Sequence, residues 1–345
     1  MVPAGAVRPA RLGLNLHAIA TTWPALAHVA KRADDLGYDS LWTWDHLYGF
    51  DDPTIGIFEG WSVVAGWASI TRRPTVGLTV TANTLRNPGL LAKIAVTVDH
   101  ISAGRCVLGI GSGWRPREHL DHGIEFGAGF GERLMWLDES LDLIRGLLRG
   151  DEVESPAGGH YVFKSASHRP LPFRGPGRLP IMVGGGGERR TLRLAARHAD
   201  IWHHRGSLEE LIHKRDVLRQ WCDEIGRDPG AIECAFGPRI LIRDDPVLAR
   251  RLLDSAVIAT GEQPSTDPSA VWCGPPEEIA ARWEPYVRAG FTHLIAGIVA
   301  PYDEETVERL IDAREMLSGH SPDDMRLSEA SDMLHTGHPP ANEEA

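Results

Sequence analysis

The chain has 345 residues, of which 42% are hydrophobic and 24% charged, and its net charge is −11 at pH 7. This composition is that of a soluble globular protein, and the length allows one large α/β domain or two smaller ones. The acidic balance argues against nucleic-acid binding, and the lack of an apolar run of about 18 residues argues against a membrane span. Four scattered cysteines without CxxC spacing predict reduced thiols, and we expect a cytoplasmic protein.

The first half of the chain alternates strand-like and helix-like segments. Strands are predicted at 11–16, 40–44, 75–81 and 105–110, and helices at 23–36, 59–70, 89–101 and 132–149. The strand segments are rich in apolar and β-branched residues, whereas the helical segments repeat apolar residues every three or four positions. Gly37, directly after the first predicted helix, is typical of a helix end. Four successive strand–helix units favour a parallel sheet.

The second half continues this alternation with two interruptions. Further strands are predicted at 181–183, 200–202, 232–242 and 291–296, and helices at about 192–199, 208–225, 276–289 and 304–317. Residues 150–178 are predicted to be an insertion with one short strand at 160–163. Residues 244–272 are predicted to be a second insertion, with a helix at 246–258 followed by a polar loop.

Eight strand–helix units of this length predict a (β/α)8 TIM barrel with insertions, formed by a single domain at 11–317. We expect residues 1–10 to be a flexible tail, and the acidic, proline-bearing residues 318–345 to be disordered. A doubly wound sheet is the alternative architecture. The first turn after a strand, at 15–23, lacks the glycine fingerprint that such sheets use for dinucleotides.

Four consecutive glycines, at 184–187, separate a predicted strand from a predicted helix. Glycines let the backbone approach a ligand closely, and the N-terminus of a helix offers unpaired N–H groups and a positive dipole end. Arg189 and Arg190 add two cations where the dipole does not favour them, which a bound anion would explain. We interpret this stretch as a phosphate site. The alternative is an ordinary glycine-rich turn with solvated arginines.

In a TIM barrel, catalytic groups follow the carboxyl ends of the strands. His46 follows the second predicted strand and can exchange a proton near neutral pH, while Asp45 can orient it or bind a polar edge of a ligand. The alternative is a structural histidine that caps a loop. The other strand-end candidates are His17, 81–83, 111–114, Glu118, His119, 184–190 and 202–204.

Two of these candidates have competing interpretations. Glu118 and His119 can be catalytic, but an exposed helix start equally favours an acid. The pair at 203–204 could suggest a metal, yet no third ligand follows at a recognisable spacing. We therefore predict no metal site.

The run LWTWDHL at 41–47 resembles the second-strand signature of the luciferase-like flavin and deazaflavin oxidoreductases. Three further runs are similar in the same order: 85–88, 108–114 with Glu118 and His119, and 184–196. The resemblance extends from about 11 to 317, and its Trp-Asp-His run is most similar to the branch that uses coenzyme F420.

This resemblance implies a cofactor ring at the barrel mouth and a cofactor phosphate at the glycine-rich loop. It implies catalytic roles for His46, as proton donor or acceptor, and for Glu118. The residues that it implies for cofactor binding are Asp45, Thr79, Val80, Thr81, Asn83, Gly111, Ser112, Gly113, Gly185, Gly186, Gly187, Glu188 and Arg189. The bond between Thr79 and Val80 matches a family position where a non-prolyl cis peptide lies behind the ring.

The implied function is an F420-dependent oxidoreductase that transfers a hydride between the deazaflavin C5 and a small organic substrate, an alcohol, enone or imine. The implied assembly is a homodimer. An FMN-dependent monooxygenase that uses O2 is the alternative on the same barrel. A non-catalytic barrel that binds a phosphorylated ligand, and a non-redox isomerase that uses His46 and Glu118, are alternatives from other classes.

The sequence departs from the sugar-phosphate dehydrogenases of this family at one position. Trp114 stands where those enzymes have a glutamate directly after a Gly-Thr-Gly turn. Their cationic residues that grip the sugar phosphate also have no clear match. We therefore do not expect glucose-6-phosphate as the substrate, and we expect an apolar one.

Overall fold

A computed structural model describes residues 10–50 and 52–318. Its strands are β1 (Arg11–Leu16), β2 (Ser40–Thr43), β3 (Thr75–Leu78), β4 (Thr81–Ala82), β5 (Cys106–Gly111), β6 (Val153–Glu154), β7 (Lys164–Ala166), β8 (Ile181–Gly184), β9 (Ile201–His204), β10 (Glu233–Phe236), β11 (Arg239–Ile242), β12 (Val271–Gly274) and β13 (His293–Ile298).

The helices lie between these strands, mostly one after each. They are α1 (Trp23–Leu36), α2 (Gly60–Ile70), α3 (Pro88–Ile101), α4 (Pro116–Asp121), α5 (Phe130–Arg149), α6 (Thr191–His198), α7 (Leu208–Glu224), α8 (Pro246–Ala259), α9 (Pro276–Arg288) and α10 (Glu304–Ser318). None of these helices is long and apolar enough to cross a membrane.

Eight strands form a closed parallel barrel. They pair in the order β1-β2-β3-β5-β8-β9-β10-β13, and β13 pairs with β1 along six residues of each strand. Closure confirms the predicted (β/α)8 barrel and excludes the doubly wound sheet, which is open. The predicted tails, 1–10 and 318–345, lie outside the described residues apart from one residue at the inner end of each.

The barrel has two apolar layers, one inside it and one around it. Inside, six side chains from six different strands contact one another, which is possible only within the closed sheet. They are Trp42, Val107, Met182, Ile201, Ala235 and Ile295. The larger outer layer joins the other faces of the strands to the helices. The mouth of the barrel is therefore built on a rigid, fully packed cylinder.

Two predicted strands are each divided in the structure, and one observed strand was not predicted. The strand predicted at 75–81 is interrupted after Leu78 by a cis peptide between Thr79 and Val80, and resumes as β4. The strand predicted at 232–242 is divided into β10 and β11 because Pro238 has no N–H group for the ladder. β11 pairs in parallel with β12, which the sequence analysis had assigned to the polar end of an insertion.

The strand predicted at 160–163 is wrong. The backbone N–H groups of His160 and Tyr161 donate to the carboxylate of Glu139, at 2.8 and 3.0 Å, instead of to a neighbouring strand. The insertion instead contains a short antiparallel pair, β6 with β7. The sequence predicted that the backbone at 160–163 would pair with a strand. Its N–H groups are instead satisfied by a side chain of α5.

Glycines make room for the interruption of the third strand. A Cβ atom would lie 2.8 Å from the Val80 side chain at Gly111 and 3.0 Å from it at Gly184. At Gly109, a Cβ atom would overlap the carbonyl oxygen of Leu78. Val80 and the backbone before it therefore fit only because β5 and β8 carry no side chain at these positions.

We predict that Gly109→Ala lowers the free energy of unfolding by about 3 kcal/mol or more, because its methyl group meets backbone and not a movable side chain. Gly56→Ala is the matched control, since nothing lies within 4 Å of a Cβ atom there. Its effect should stay within about 0.5 kcal/mol. Urea unfolding of both variants measures the difference, and equal stabilities would contradict the close packing at β5.

Candidate active site

The carboxyl ends of the barrel strands surround a cavity of about 250 Å³. Seven of the predicted site residues line it: Asp45, His46, Thr79, Val80, Thr81, Gly113 and Glu118. The other lining residues are Trp44, Phe50, Ala82, Trp114, His203, Arg205, Arg239 and Glu262. The mouth thus combines aromatic walls with a small number of polar groups, as ligand-binding cavities commonly do.

His46 and Glu118 form a hydrogen-bonded pair in this cavity. Nδ1 of His46 lies 3.1 and 3.2 Å from the two carboxylate oxygens of Glu118. No described residue forms a hydrogen bond with Nε2 of His46. The ring also meets the Trp114 indole edge to face, with centroids 5.7 Å apart. This geometry fixes the ring and leaves one nitrogen available to a ligand.

Glu118 is buried although it lies in the first turn of α4, where the sequence suggested an exposed position. Burial acts to raise the pKa of its carboxyl group. The hydrogen bond and charge of His46, the Leu47 N–H group and the charge of Arg115 outweigh that effect, so the pKa lies below its ordinary value. Glu118 is therefore ionised at neutral pH and accepts from Nδ1–H of His46.

Asp45 is held by Arg86. The guanidinium donates to both carboxylate oxygens, at 2.6 and 2.9 Å, and the Ala82 N–H group donates to one of them at 3.0 Å. Arg86 also lies 2.5 Å from Glu59, which caps the N-terminus of α2. Asp45 lines the cavity with most of its accepting capacity already used. Its contact with a cofactor stays a prediction.

His119 is fully buried and is fixed by two partners. Its Nδ1 lies 2.7 Å from the carbonyl oxygen of Arg115, which can only accept, so Nδ1 carries the proton. Nε2 therefore accepts from the Thr84 hydroxyl, at 2.7 Å. Burial lowers the pKa of His119, which keeps the ring neutral. His119 is thus a structural residue that joins α4 to the loop after β4.

The cis peptide between Thr79 and Val80 lies at the cavity wall, as the resemblance implied. The Thr79 hydroxyl is buried without a hydrogen-bond partner among the described residues. The Thr81 hydroxyl accepts from the Trp61 indole at 3.2 Å. A polar atom left unpaired in a cavity wall is costly unless a ligand or water pairs with it. Thr79 is therefore the better hydrogen-bonding candidate of the two.

Three further predicted residues lie near the cavity without lining it. The Asn83 amide donates to the Tyr161 hydroxyl at 3.0 Å, and its oxygen is buried without a partner among the described residues. Gly111 makes room for Val80, as described above. The Ser112 hydroxyl reaches no closer than 3.5 Å to the Gly113 carbonyl oxygen. Cofactor binding by these three residues stays a prediction.

The glycine-rich loop lies beside this cavity, because β8 pairs with β9, where His203 lines the wall. No described residue accepts from the backbone N–H groups of 186–188. Gly185 has φ +117°, which only glycine adopts readily, and a Cβ atom at Gly186 would overlap the His204 ring. The loop therefore offers unpaired backbone N–H groups beside the cavity, and phosphate binding there stays a prediction.

The side chains of this loop differ in their availability. Glu188 pairs with Lys214 at 2.7 Å and with His213 at 3.1 Å. Arg190 donates to the carbonyl oxygen of Gly131 at 3.0 Å. Arg189 is exposed, and no described residue pairs with its guanidinium. Arg189 is thus the cation of the loop that is free to meet an anion.

Three charged residues that were not among the predicted candidates, Arg205, Arg239 and Glu262, also line the cavity. Arg239 at the start of β11 pairs with Glu262 at 2.5 Å, and Arg205 directly follows β9. Burial lowers the pKa of Arg205 to about 10, with the neighbouring charge of Arg239 as the second cause. These residues lie on separate strands and an insertion. Only Arg205, next to the 202–204 strand end, carried a positional signal.

A cluster of Asp138, Asp142 and His198 has the spacing of a metal site. Arg197 bridges its two carboxylates, at 2.5 and 3.2 Å. These contacts form an ion-pair network between α5 and α6, and none of its members lines the cavity at the barrel mouth.

The family of the chain follows from comparisons with known proteins. The sequence profile of the luciferase-like monooxygenase family matches residues 3–293. An F420-dependent glucose-6-phosphate dehydrogenase from Kineococcus radiotolerans is 28% identical over 324 residues, which cover 84% of this chain and 91% of that protein. An uncharacterised Mycobacterium tuberculosis protein is 30% identical over 153 residues, 44% of this chain, and the match spans about half (51%) of that relative.

Solved structures share the fold. An F420-dependent secondary alcohol dehydrogenase, solved with an F420–acetone adduct, superposes with a TM-score of 0.77. The superposition covers 90% of this chain and 99% of that one, at 18% sequence identity. Likeness at this level of identity shows the same barrel and leaves the chemistry to the residues at its mouth.

We predict that the His46–Glu118 pair stabilises the fold at neutral pH and loses this effect in acid. The folded-state pKa of Glu118 lies below its ordinary value of 4.5, so its contribution is present above pH 4.5 and disappears as the pH falls through the folded-state value. The difference in unfolding free energy between the wild type and Glu118→Gln should shrink along that range. Urea unfolding at pH 7, 5, 4 and 3.5 measures it.

Glu125→Gln is the control, because Glu125 is an exposed carboxylate on the loop after α4. Its difference from the wild type should vary little with pH. A Glu118→Gln difference that stays constant from pH 7 to 3.5 would contradict the role of the Glu118 charge.

Proposed function

The chain belongs to the luciferase-like monooxygenase family, and within that family we propose that it is a coenzyme F420-dependent oxidoreductase acting on a small organic substrate. The observation that carries this proposal is the His46–Glu118 pair, which places an oriented proton-exchanging group at the barrel mouth. The named F420-dependent relative, similar over most of both chains, supports the choice of cofactor. We further propose a cytoplasmic homodimer.

The residues present fit a phosphorylated deazaflavin. The unpaired N–H groups of 186–188 and the free Arg189 offer what a phosphate needs. The unpartnered Thr79 hydroxyl offers a hydrogen bond at the wall, where Val80 projects toward the barrel axis. Asp45, Thr81 and Gly113 line the same cavity. We assign the ring to this wall and the phosphate to the glycine-rich loop.

A bound deazaflavin would supply a carbon that donates or accepts a hydride, which itself carries the two electrons of the reaction. The protein then has to position the substrate and to move the accompanying proton. His46 does so at Nε2, because Nδ1 is engaged by Glu118. Neutral His46 takes the proton of an alcohol that is oxidised, and protonated His46 donates one to an enone or imine that is reduced. Glu118 holds the ring in one orientation for both directions of the reaction.

The cavity walls serve this chemistry by limiting water. Trp44, Phe50 and Trp114 supply aromatic surface around His46. Trp44 and Trp114 both meet the His46 ring edge to face, at 6.2 and 5.7 Å. An apolar surround strengthens the electrostatic interaction between His46 and Glu118 and protects the transferred hydride from side reactions.

Two rival functions have specific support. The family is described as monooxygenases, so an FMN enzyme that uses O2 is the second candidate. A non-redox isomerase would need an acid and a base close together, and the contact between His46 and Glu118 provides such a pair. A non-catalytic phosphate-binding barrel has no use for an oriented histidine with a free nitrogen in an aromatic cavity.

We predict tight binding of F420 and weak binding of FMN, measured by fluorescence titration of the purified protein with each cofactor. Arg189→Ala should weaken F420 binding about 10-fold or more, because a charge-assisted contact to phosphate is lost. Arg219→Ala, a surface arginine 3.6 Å from Asp216, is the matched control and should bind like the wild type. Preference for FMN would favour the monooxygenase, and binding of neither would remove the redox assignment.

We predict that His46→Ala retains F420 binding and reduces turnover by about 10²–10⁴-fold, the range of a lost general acid or base. Turnover is followed with F420 and a panel of alcohols, enones and imines. His28→Ala is the control, since His28 is an exposed histidine paired with Glu304. Unchanged turnover in His46→Ala would exclude His46 from the mechanism.

A further inference from the structure

Building on the proposed function, we propose that the substrate is a carboxylic acid with an apolar body, whose carboxylate binds Arg205 and Arg239. Both guanidinium groups line the cavity that holds His46. The proposed substrate class is therefore a molecule with one negative charge and an otherwise apolar body. It also revises the expectation of a wholly apolar substrate that the sequence suggested.

Arg205 is the cation without a hydrogen-bonded partner, although the negative charge of Glu262 acts on it. It is exposed to the cavity, and no described residue forms a hydrogen bond or ion pair with it. Its pKa of about 10 leaves it protonated at neutral pH. A protonated guanidinium that faces a cavity and has no hydrogen-bonded partner is a site for an anion.

Arg239 is only partly satisfied. One terminal nitrogen donates to Glu262 at 2.5 Å, while Nε of Arg239 and Oε1 of Glu262 are buried without partners among the described residues. A guanidinium presents five donors in a planar fork that matches a carboxylate. The Arg239–Glu262 pair therefore retains capacity for a further acceptor.

The charge of this group selects a monoanion. Arg205 and Arg239 carry two positive charges and Glu262 one negative charge. Burial lowers the pKa of His203 to about 3, so this neighbour in the wall is neutral. The other carboxylates of the cavity, Asp45 and Glu118, already pair with Arg86 and His46. One carboxylate balances the excess, whereas a dianionic phosphate would leave a buried negative charge.

The remaining wall suits an apolar body. Trp44, Phe50 and Trp114 line the same cavity as the two arginines. The cofactor does not need these arginines for its phosphate, because the glycine-rich loop and Arg189 already offer a separate anion site. The substrate thus meets a cationic group at one end of the cavity and aromatic surface beside His46.

The test uses three probes of one shape: benzoate, its neutral isostere benzamide, and phenyl phosphate. Each is titrated by calorimetry into the wild-type protein, alone and saturated with F420. We expect benzoate to bind about 10- to 100-fold more tightly than benzamide, because losing a charged hydrogen-bond partner commonly weakens binding by this factor. Equal binding of benzoate and benzamide in both states would overturn the proposal.

Two variants locate the interaction. Arg205→Met keeps an unbranched apolar stem and removes the guanidinium charge, and benzoate binding should fall about 10- to 100-fold while benzamide binding stays unchanged. Arg205→Lys should retain part of the affinity. Because Arg205 has no partner to lose, these variants should fold normally, and Arg219→Met controls for the general loss of a surface charge.

Glu262→Gln tests the charge count independently. It raises the excess charge from one to two, so the preference should move from benzoate toward phenyl phosphate. Phenyl phosphate favoured already by the wild type would overturn the choice of carboxylate. If Arg205→Met weakens F420 and leaves benzoate unchanged, the arginines serve the cofactor and the proposal fails. If benzoate binds in an Arg205-dependent way and F420 does not bind at all, the proposed function is wrong and the carboxylate site is still supported.

Discussion

The buried ion pair between Asp45 and Arg86 connects the parts of the barrel mouth. Arg86, on the loop after β4, reaches back to the end of β2 and to Glu59, the cap of α2. Asp45 in turn accepts from Ala82, so it also holds the backbone of β4. Removing either charge would leave the other unpaired in a dry environment, which costs more than an intact pair contributes. His46 is the next residue after Asp45, so the Asp45–Arg86 ion pair also fixes the backbone that carries His46.

A second constraint on the barrel mouth is the space that glycines without side chains leave for Val80. Val80 fills space that Gly111 and Gly184 leave open on the neighbouring strands. The same wall carries the unpaired Thr79 hydroxyl. Interior packing below this level is apolar and fixed by Trp42 and Met182. The mouth is thus a polar layer of precise geometry on a close-packed base, as a site that positions a ligand to within fractions of an ångström requires.

Much of this was predictable from sequence because the barrel repeats one simple unit. β1, α1 and Gly37 follow directly from apolar periodicity and helix-end chemistry. Local pattern could not show that 75–81 is interrupted, since the glycines that permit it lie on other strands. The strand at 160–163 failed because the acceptor for its backbone is Glu139, on a distant helix. Arg239 and Glu262 meet only in three dimensions. Glu118 was ambiguous because burial, not spacing, decides its role.

Glu262 comes from a different part of the chain than the residues around His46. His46, Asp45 and Val80 belong to the first strands of the barrel, whereas Glu262 belongs to the insertion that follows α8. An insertion can change in length and composition without disturbing the strand ladder. A change in this one segment can therefore alter the charge beside Arg239 without moving the residues around His46. The charge of one part of the cavity wall and the position of His46 thus depend on different segments of the chain.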